Sequence, residues 1–280
     1  MTAASTARAA MRIAVLGGPG TFSHQATERL LGLYPEYAGE PDYYPSVPQL
    51  WQTLADGSSD GIIVMEQTSG LGWSEANARM APPDSGLYIA AMAPVPFGCS
   101  LLVKAGTALS DIVTIYGHDS LKQCRRWLDE NAPGIPAVVH AQNSVVAAGE
   151  VAAGDGTLAV VATLLTGEIA GLVPLAQGID DGAAASWWLI TREPRFDASP
   201  GQLVVTVRGG TDDVLGRLVS ALAGAGFALR RVYSQATGNA LYELDSVLAL
   251  AGSGSLADVQ AAVATAGGAA RLAGAFPART

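Results

Sequence analysis

Gly18-Pro19-Gly20-Thr21-Phe22-Ser23 follows a short apolar run, Arg12 to Leu16, and leads into Gln25, Ala26, Leu30 and Leu31 at helical spacing. A glycine turn opening a helix leaves main-chain N–H groups without intrahelical acceptors, and Thr21 or Ser23 supplies a capping hydroxyl. Asn143-Ser144 stands in the same relation to a helix expected over Ser144 to Ala153. Such helix starts hold anions such as carboxylates, although each is equally an ordinary cap when read by itself. His118 offers an imidazole, which exchanges a proton near neutral pH; it is alternatively a satisfied, partly buried histidine. Glu66 closes the apolar run that begins at Gly61, where a carboxylate can face either a site or solvent.

Other chemistries are excluded by what is missing. There is no HExxH, no CxxC pair, no Walker A lysine and no GxSxG. Three histidines, His24, His118 and His140, are not grouped with cysteines, so no metal is expected. The glycine turn lacks the third glycine of a dinucleotide loop. Cofactor-free chemistry in a cleft is what remains. A formal charge of −9 with no basic stripe argues against a nucleic-acid partner. An anionic ligand must then be held by local arginines or backbone N–H groups. No apolar run is long enough to span a bilayer, and two cysteines, Cys99 and Cys124, suit a reduced cytoplasmic protein. Residues 1–10 read as a disordered leader, with Met11 an alternative start.

The elements that must position these groups follow from periodicity. Strands are expected at Arg12 to Leu16, Gly61 to Glu66, Val113 to Tyr116, Ala137 to Val139, Leu158 to Ala162 and Ser186 to Thr191. Helices are expected around Val47 to Ala55, Ser120 to Glu130, Ser144 to Ala153 and Thr163 to Ala170. This alternation indicates a parallel or mostly parallel α/β sheet. An extended crossover near residue 97, with two prolines before it, and a return near residue 173 would make two lobes with a cleft between them. Glu193 to Gly201 has linker composition. Beyond it, strand, helix (Asp212 to Ala225), two strands, helix (Leu256 to Ala266) and strand give the βαββαβ order of a ferredoxin-like unit.

Several segments together, in order, resemble the prephenate dehydratase family. Gly18 to Ser23 with Ala26 is similar to its GPxGTFSxxA. Met65-Glu66-Gln67-Thr68 running into Gly70-Leu71-Gly72 is similar to PxENSxxG, and Gly117-His118-Asp119-Ser120-Leu121-Lys122-Gln123-Cys124 to SHPxALxQC. Asn143 to Ala148 stands where STAxAA would, and Leu158 to Ala162 with Gly171-Leu172 where AAIAS and YGL would. The resemblance implies a two-lobed fold like type II periplasmic binding proteins over 11–196 and an ACT-like domain over 202–275. It also implies prephenate as substrate, with Thr21, Phe22, Ser23, Gln67, Thr68, Asn143 and Ser144 binding it and Glu66 and His118 acting in the site.

One motif departs. Where the family reads NxTRF, this chain reads Ala184-Ala185-Ser186-Trp187-Trp188. In the dehydratases the threonine is taken as the acid for the departing C4 hydroxyl, beside the arginine. A Ser-Trp pair instead resembles the prephenate decarboxylases of secondary metabolism, a branch that releases CO2 without aromatising the ring. Loss of CO2 with hydroxide needs an acid at C4. Loss of CO2 alone leaves a dienyl carbanion that must be protonated at a ring-edge carbon. On this resemblance Ser186 and His118 are the catalytic candidates, and Trp187 lowers polarity beside C4.

In the tail, Asp213-Val214-Leu215 and Tyr233-Ser234-Gln235-Ala236 replace the GAL and ESRP segments through which the family's ACT domains hold phenylalanine. The expected result is a scaffold kept for homodimerisation, without phenylalanine feedback. Two other readings remain open: a divergent dehydratase with Ser186 acting alone, and an inactive protein that binds prephenate as a sensor or partner subunit.

Overall fold

The computed structural model describes residues 10–69, 72–118, 120–140, 142–209 and 213–279. Nearly all of the expected leader therefore lies outside the described residues, as do Gly70, Leu71, Asp119 and the start expected for the helix at Asp212. In chain order, lobe one begins with β1 (Ile13–Leu16), α1 (Phe22–Leu33), β2 (Pro41–Tyr44) and α2 (Val47–Asp56). It continues through β3 (Gly61–Thr68), β4 (Gly72–Trp73), α3 (Glu75–Met80) and β5 (Tyr88–Pro96). Lobe two holds β6 (Ser100–Val103), β7 (Thr114–Gly117), α4 (Ser120–Gln123), α5 (Arg125–Asn131) and β8 (Ala137–Val139). Then come α6 (Ser144–Ala153), β9 (Leu158–Ala162), α7 (Leu164–Ala170) and β10 (Val173–Gln177). The chain returns to lobe one as β11 (Ala184–Thr191). The last unit is β12 (Gln202–Gly209), α8 (Val214–Gly224), β13 (Phe227–Ala236), β14 (Leu244–Gly252), α9 (Leu256–Ala264) and β15 (Ala270–Phe276).

The expectation of a mostly parallel sheet needs correction. Lobe one pairs β1 with β2 and β3 in parallel, but β11 lies antiparallel between β3 and β5. Lobe two runs β10-β6-β9-β7-β8, with both β6 pairings antiparallel. The cause is the double connection: a chain that leaves along one strand and returns along its neighbour makes that pair antiparallel. Asp180 ties the two crossings together, accepting from the Gly98 and Cys99 N–H groups at 3.2 Å each. Pro94 and Pro96 are tolerated in β5 because β15 meets this strand at Ile89, leaving the far end of that edge unpaired. The helix expected over Ser120 to Glu130 is broken at Cys124, whose φ and ψ are −101° and 8°. The strands β2 and β10 and the short helix α3 carry too little periodicity to be read from sequence.

The C-terminal unit has the expected βαββαβ order, with its strands arranged β13-β14-β12-β15. Asp213 precedes α8 with φ of 53°, a left-handed conformation that aspartate tolerates better than most non-glycine residues. One face of this sheet packs on α8 and α9 through Leu203, Val205, Leu218, Leu222 and Phe227. The other face contributes Val204, Val247, Ala273 and Phe276 to a core shared with Trp188 and Ile190 of lobe one. The unit is thereby fused to lobe one by a common core.

Trp188, wholly buried in that core, has an indole N–H with no hydrogen-bond partner among the described residues. Trp188→Ala is expected to lower stability by about 3–5 kcal/mol through cavity formation. Trp188→Phe loses less volume and removes an orphaned donor worth about 1–3 kcal/mol. Denaturant unfolding should therefore find the phenylalanine variant within about 1.5 kcal/mol of wild type.

Candidate active site between the lobes

A cavity of about 550 Å3 opens between the lobes. The N-termini of α1, α2 and α6 meet at it, contributing Thr21, Phe22 and Ser23, then Ser46 and Val47, then Asn143 and Ser144. The caps are formed: Thr21 Oγ1 accepts from the His24 N–H at 3.2 Å, and Asn143 Oδ1 accepts from those of Val145 and Val146 at 3.0 Å. The first-turn N–H groups of Phe22, Ser23 and Ser144 have no acceptor within their own helices. None of the described residues lining this cavity is arginine or lysine, and its one carboxylate, Glu75, pairs with Arg79 at 2.6 Å. The positive ends of three helix dipoles are thus the electrostatic feature that favours an anion here.

The apolar part of the wall includes Phe22, Trp51, Trp73, Phe97 and Trp187. Phe22 meets Phe97 edge-on, with ring centroids 5.2 Å apart. Thr68 and His118 also line the cavity, with His118 exposed. Polar contacts join the lobes. The Gly20 carbonyl accepts from Thr163 Oγ1 and Thr166 Oγ1, both at 2.7 Å, and Gln123 Nε2 donates to Thr68 Oγ1 at 3.1 Å. Gly20 has φ of 88°, a left-handed conformation that favours glycine.

The structure therefore brings together Thr21, Phe22, Ser23, Thr68, His118, Asn143, Ser144 and Trp187. It places Glu66, Gln67 and Ser186 elsewhere. Along β11, Ala185 and Trp187 face one core while Ser186 and Trp188 take the opposite side, as strand alternation dictates. The ladder slips between Ser186 and Trp187, so Ser186 pairs with Gln67 and Trp187 with Met65, leaving Glu66 unpaired in the bulge. Ser186 and Gln67 line a second cavity of about 440 Å3, against the C-terminal unit. Glu66, 1% exposed, makes an ion pair with Arg231 of β13 at 2.8 Å. Its main-chain carbonyl accepts from Ser74 N and Asn77 Nδ2.

Burial pushes the Glu66 carboxyl above its ordinary range, against the opposing pull of Arg231 and of the nearby Ser186 hydroxyl. That hydroxyl nonetheless meets no partner within hydrogen-bond geometry among the described residues. A carboxyl raised in the folded state contributes stability that is full below its unfolded pKa and is lost as pH rises through its folded pKa. Glu66→Gln, which keeps an acceptor for Arg231, should remove this contribution. The difference between wild-type and variant unfolding free energies should accordingly shift against wild type as pH rises from about 4. A difference that is flat with pH would refute the assignment.

Sequence reasoning missed Trp51, Trp73, Ser74 and Ser120 of the cleft wall. Ser120 is 4% exposed, and its hydroxyl has no hydrogen-bond partner among the described residues. Its place within the His118 motif was visible, but only the cleft shows that it lines a cavity. Cys99 and Cys124 are buried and free; the Cys99 thiol is pushed well up by its hydrogen bond to Cys124 and by burial, which makes it a poor nucleophile. Among the described residues there is no cluster of His, Cys, Asp or Glu able to hold a metal ion, and no helix long and apolar enough to cross a membrane.

Two α/β lobes around a ligand-sized cleft, with a βαββαβ unit fused to the first, define a two-lobed cleft protein. The prephenate dehydratase family model matches residues 13–195, and the chain belongs to that family. A prephenate dehydratase of Mycobacteroides abscessus is 30% identical over 217 residues, covering 75% of this chain and 70% of that one. One from Amycolatopsis methanolica is 26% identical over 227 residues, covering 79% and 72%. Among solved structures, prephenate dehydratase from Arthrobacter aurescens in complex with L-Phe superposes with a TM-score of 0.78 at 23% identity, covering 95% of this chain and 90% of that one. GqqA, described as a novel type of quorum quenching acylase, superposes at 0.75 with 21% identity, covering 95% and 97%. At these identities the structural likeness establishes the fold, and one fold hosts more than one activity.

Proposed function

We propose that the protein is a cofactor-independent prephenate decarboxylase that leaves the ring non-aromatic, giving a dihydro-4-hydroxyphenylpyruvate for a specialised, antibiotic-type pathway. The observation that carries this reading is the position of Trp187. It stands on the cleft wall where the family motif has arginine, while Ser186, where the motif has threonine, turns to the other face of β11. A prephenate molecule in the cleft then meets neither a cation nor a strand hydroxyl at this point. Its carboxylates suit the N-termini of α1 and α6. The C1–carboxylate bond breaks, CO2 leaves, and the bonding pair enters the diene. Without an acid at C4 the hydroxyl stays, and the carbanion takes a proton at a ring-edge carbon. His118 is the donor we assign, and Ser120 a hydroxyl able to orient the substrate. Aromatisation is downhill, so withholding the acid matters as much as promoting the loss of CO2.

The family match and the curated relatives favour a second reading, conversion of prephenate to phenylpyruvate. One incubation with prephenate separates the two by following CO2, phenylpyruvate and the non-aromatic keto acid. CO2 with the keto acid is the expected result; phenylpyruvate as main product would establish the dehydratase. Binding without turnover would point to a sensor or partner subunit.

On the same reading, residues 11–196 form the prephenate dehydratase-like domain and 202–275 an ACT-like scaffold. A homodimer through that scaffold is supported by apolar side chains left exposed on β13 and β14, Leu229, Val232 and Leu244, beside the unpaired edge of β13.

A further inference from the structure

The second cavity is of a different chemical kind from the cleft. Arg230, Arg231 and Arg279 all line it, and no aspartate or glutamate does among the described residues. Two of these charges are already matched: Arg231 by Glu66 at 2.8 Å and Arg279 by Glu36 at 2.9 Å. Arg230, exposed at the cavity's wall, has no ion-pair partner among the described residues, so its positive charge is unmatched there. Ser186 stands on the same wall; its hydroxyl lies beside the Glu66 carboxyl but meets no partner within hydrogen-bond geometry among the described residues. Much of the remaining lining is apolar, with Met92, Leu203, Val204, Leu250 and Phe276.

We propose that this cavity binds a small organic monocarboxylate with an apolar body, and that its occupancy alters the cleft. The carboxylate meets the Arg230 guanidinium and the Ser186 hydroxyl, and the body lies along the apolar wall. An amino acid is disfavoured because its ammonium group finds no carboxylate among the lining residues. Coupling to the cleft follows from adjacency: Gln67 and Ser186 line this cavity, while Thr68 and Trp187, their immediate neighbours in the chain, line the cleft. A ligand that engages Ser186 bears directly on the backbone carrying Trp187. The binding claim stands independently of the reaction; only the coupling claim rests on prephenate as the cleft ligand.

Calorimetric titration of the full chain with 3-phenylpropanoate tests this, with 3-phenylpropan-1-ol and L-phenylalanine as uncharged and zwitterionic controls. Saturable binding of the carboxylate is expected, with both controls at least about tenfold weaker. Arg230→Gln combined with Arg279→Gln should weaken the carboxylate by about tenfold or more, while Asn143→Ala in the cleft leaves its affinity unchanged. No saturable heat at millimolar carboxylate would overturn the proposal. So would equal binding of L-phenylalanine, or sensitivity to Asn143→Ala in place of the arginines, which would put the ligand in the cleft. For the coupling, saturating 3-phenylpropanoate should change the prephenate Kd at least about threefold. An unchanged Kd would overturn the coupling alone, and failure of prephenate to bind would count against the proposed function and leave the carboxylate site standing.

Discussion

His118→Asn is expected to lower kcat for CO2 release from prephenate by about 10²–10⁴-fold, with KM changed far less. The residue is exposed and lines the inter-lobe cavity together with Ser120 and the Thr21 to Ser23 segment. Asparagine keeps a polar side chain of similar reach but cannot deliver a proton, so binding survives while the carbanion waits for water. Imidazole added to the assay should restore part of the loss. A full-rate asparagine variant would remove His118 from the mechanism and turn attention to the hydroxyls of the cleft wall.

Trp187→Arg should move the product ratio toward phenylpyruvate by about tenfold or more, equivalent to about 1.4 kcal/mol of differential transition-state stabilisation. The guanidinium would enter a wall where none of the described lining residues is arginine or lysine. There it can stabilise the departing hydroxide, the charge that the aromatising route develops and the other route does not. Ser186→Thr alone should leave the ratio unchanged, because that side chain points into the cavity against the C-terminal unit. The double substitution, which rebuilds the family's Thr-Arg pair, should then behave as Trp187→Arg does. Unchanged ratios in both variants would show that this strand is not the product switch. A shift produced by Ser186→Thr alone would show that β11 rearranges on binding.

Much of this was legible in the order of residues. Periodicity located β1, β3, α2, α6, β9 and β11 within a few residues, because each buries a continuous apolar stripe. The glycine turn with Thr21 and the Asn143-Ser144 pair announced themselves as helix starts through capping chemistry that is local by nature. The C-terminal βαββαβ order was readable for the same reason. Local signals failed where partners decide. Nothing short-range makes β11 pair antiparallel with both β3 and β5, and nothing near Cys124 predicts that the helix breaks there.

Residue identity thus determined the family, the hydroxyl-lined and cation-poor helix starts, and the exchange of Thr-Arg for Ser186-Trp187. Only the tertiary structure decided which side of the sheet each residue serves. Glu66, expected as a site carboxylate, is paired in the fold with an arginine 165 positions away. Ser186 and Trp187 looked like one unit and open on different cavities. The physical reason is the pleat together with the register slip beside it: neighbours on a strand point to opposite faces, and what covers each face comes from distant parts of the chain.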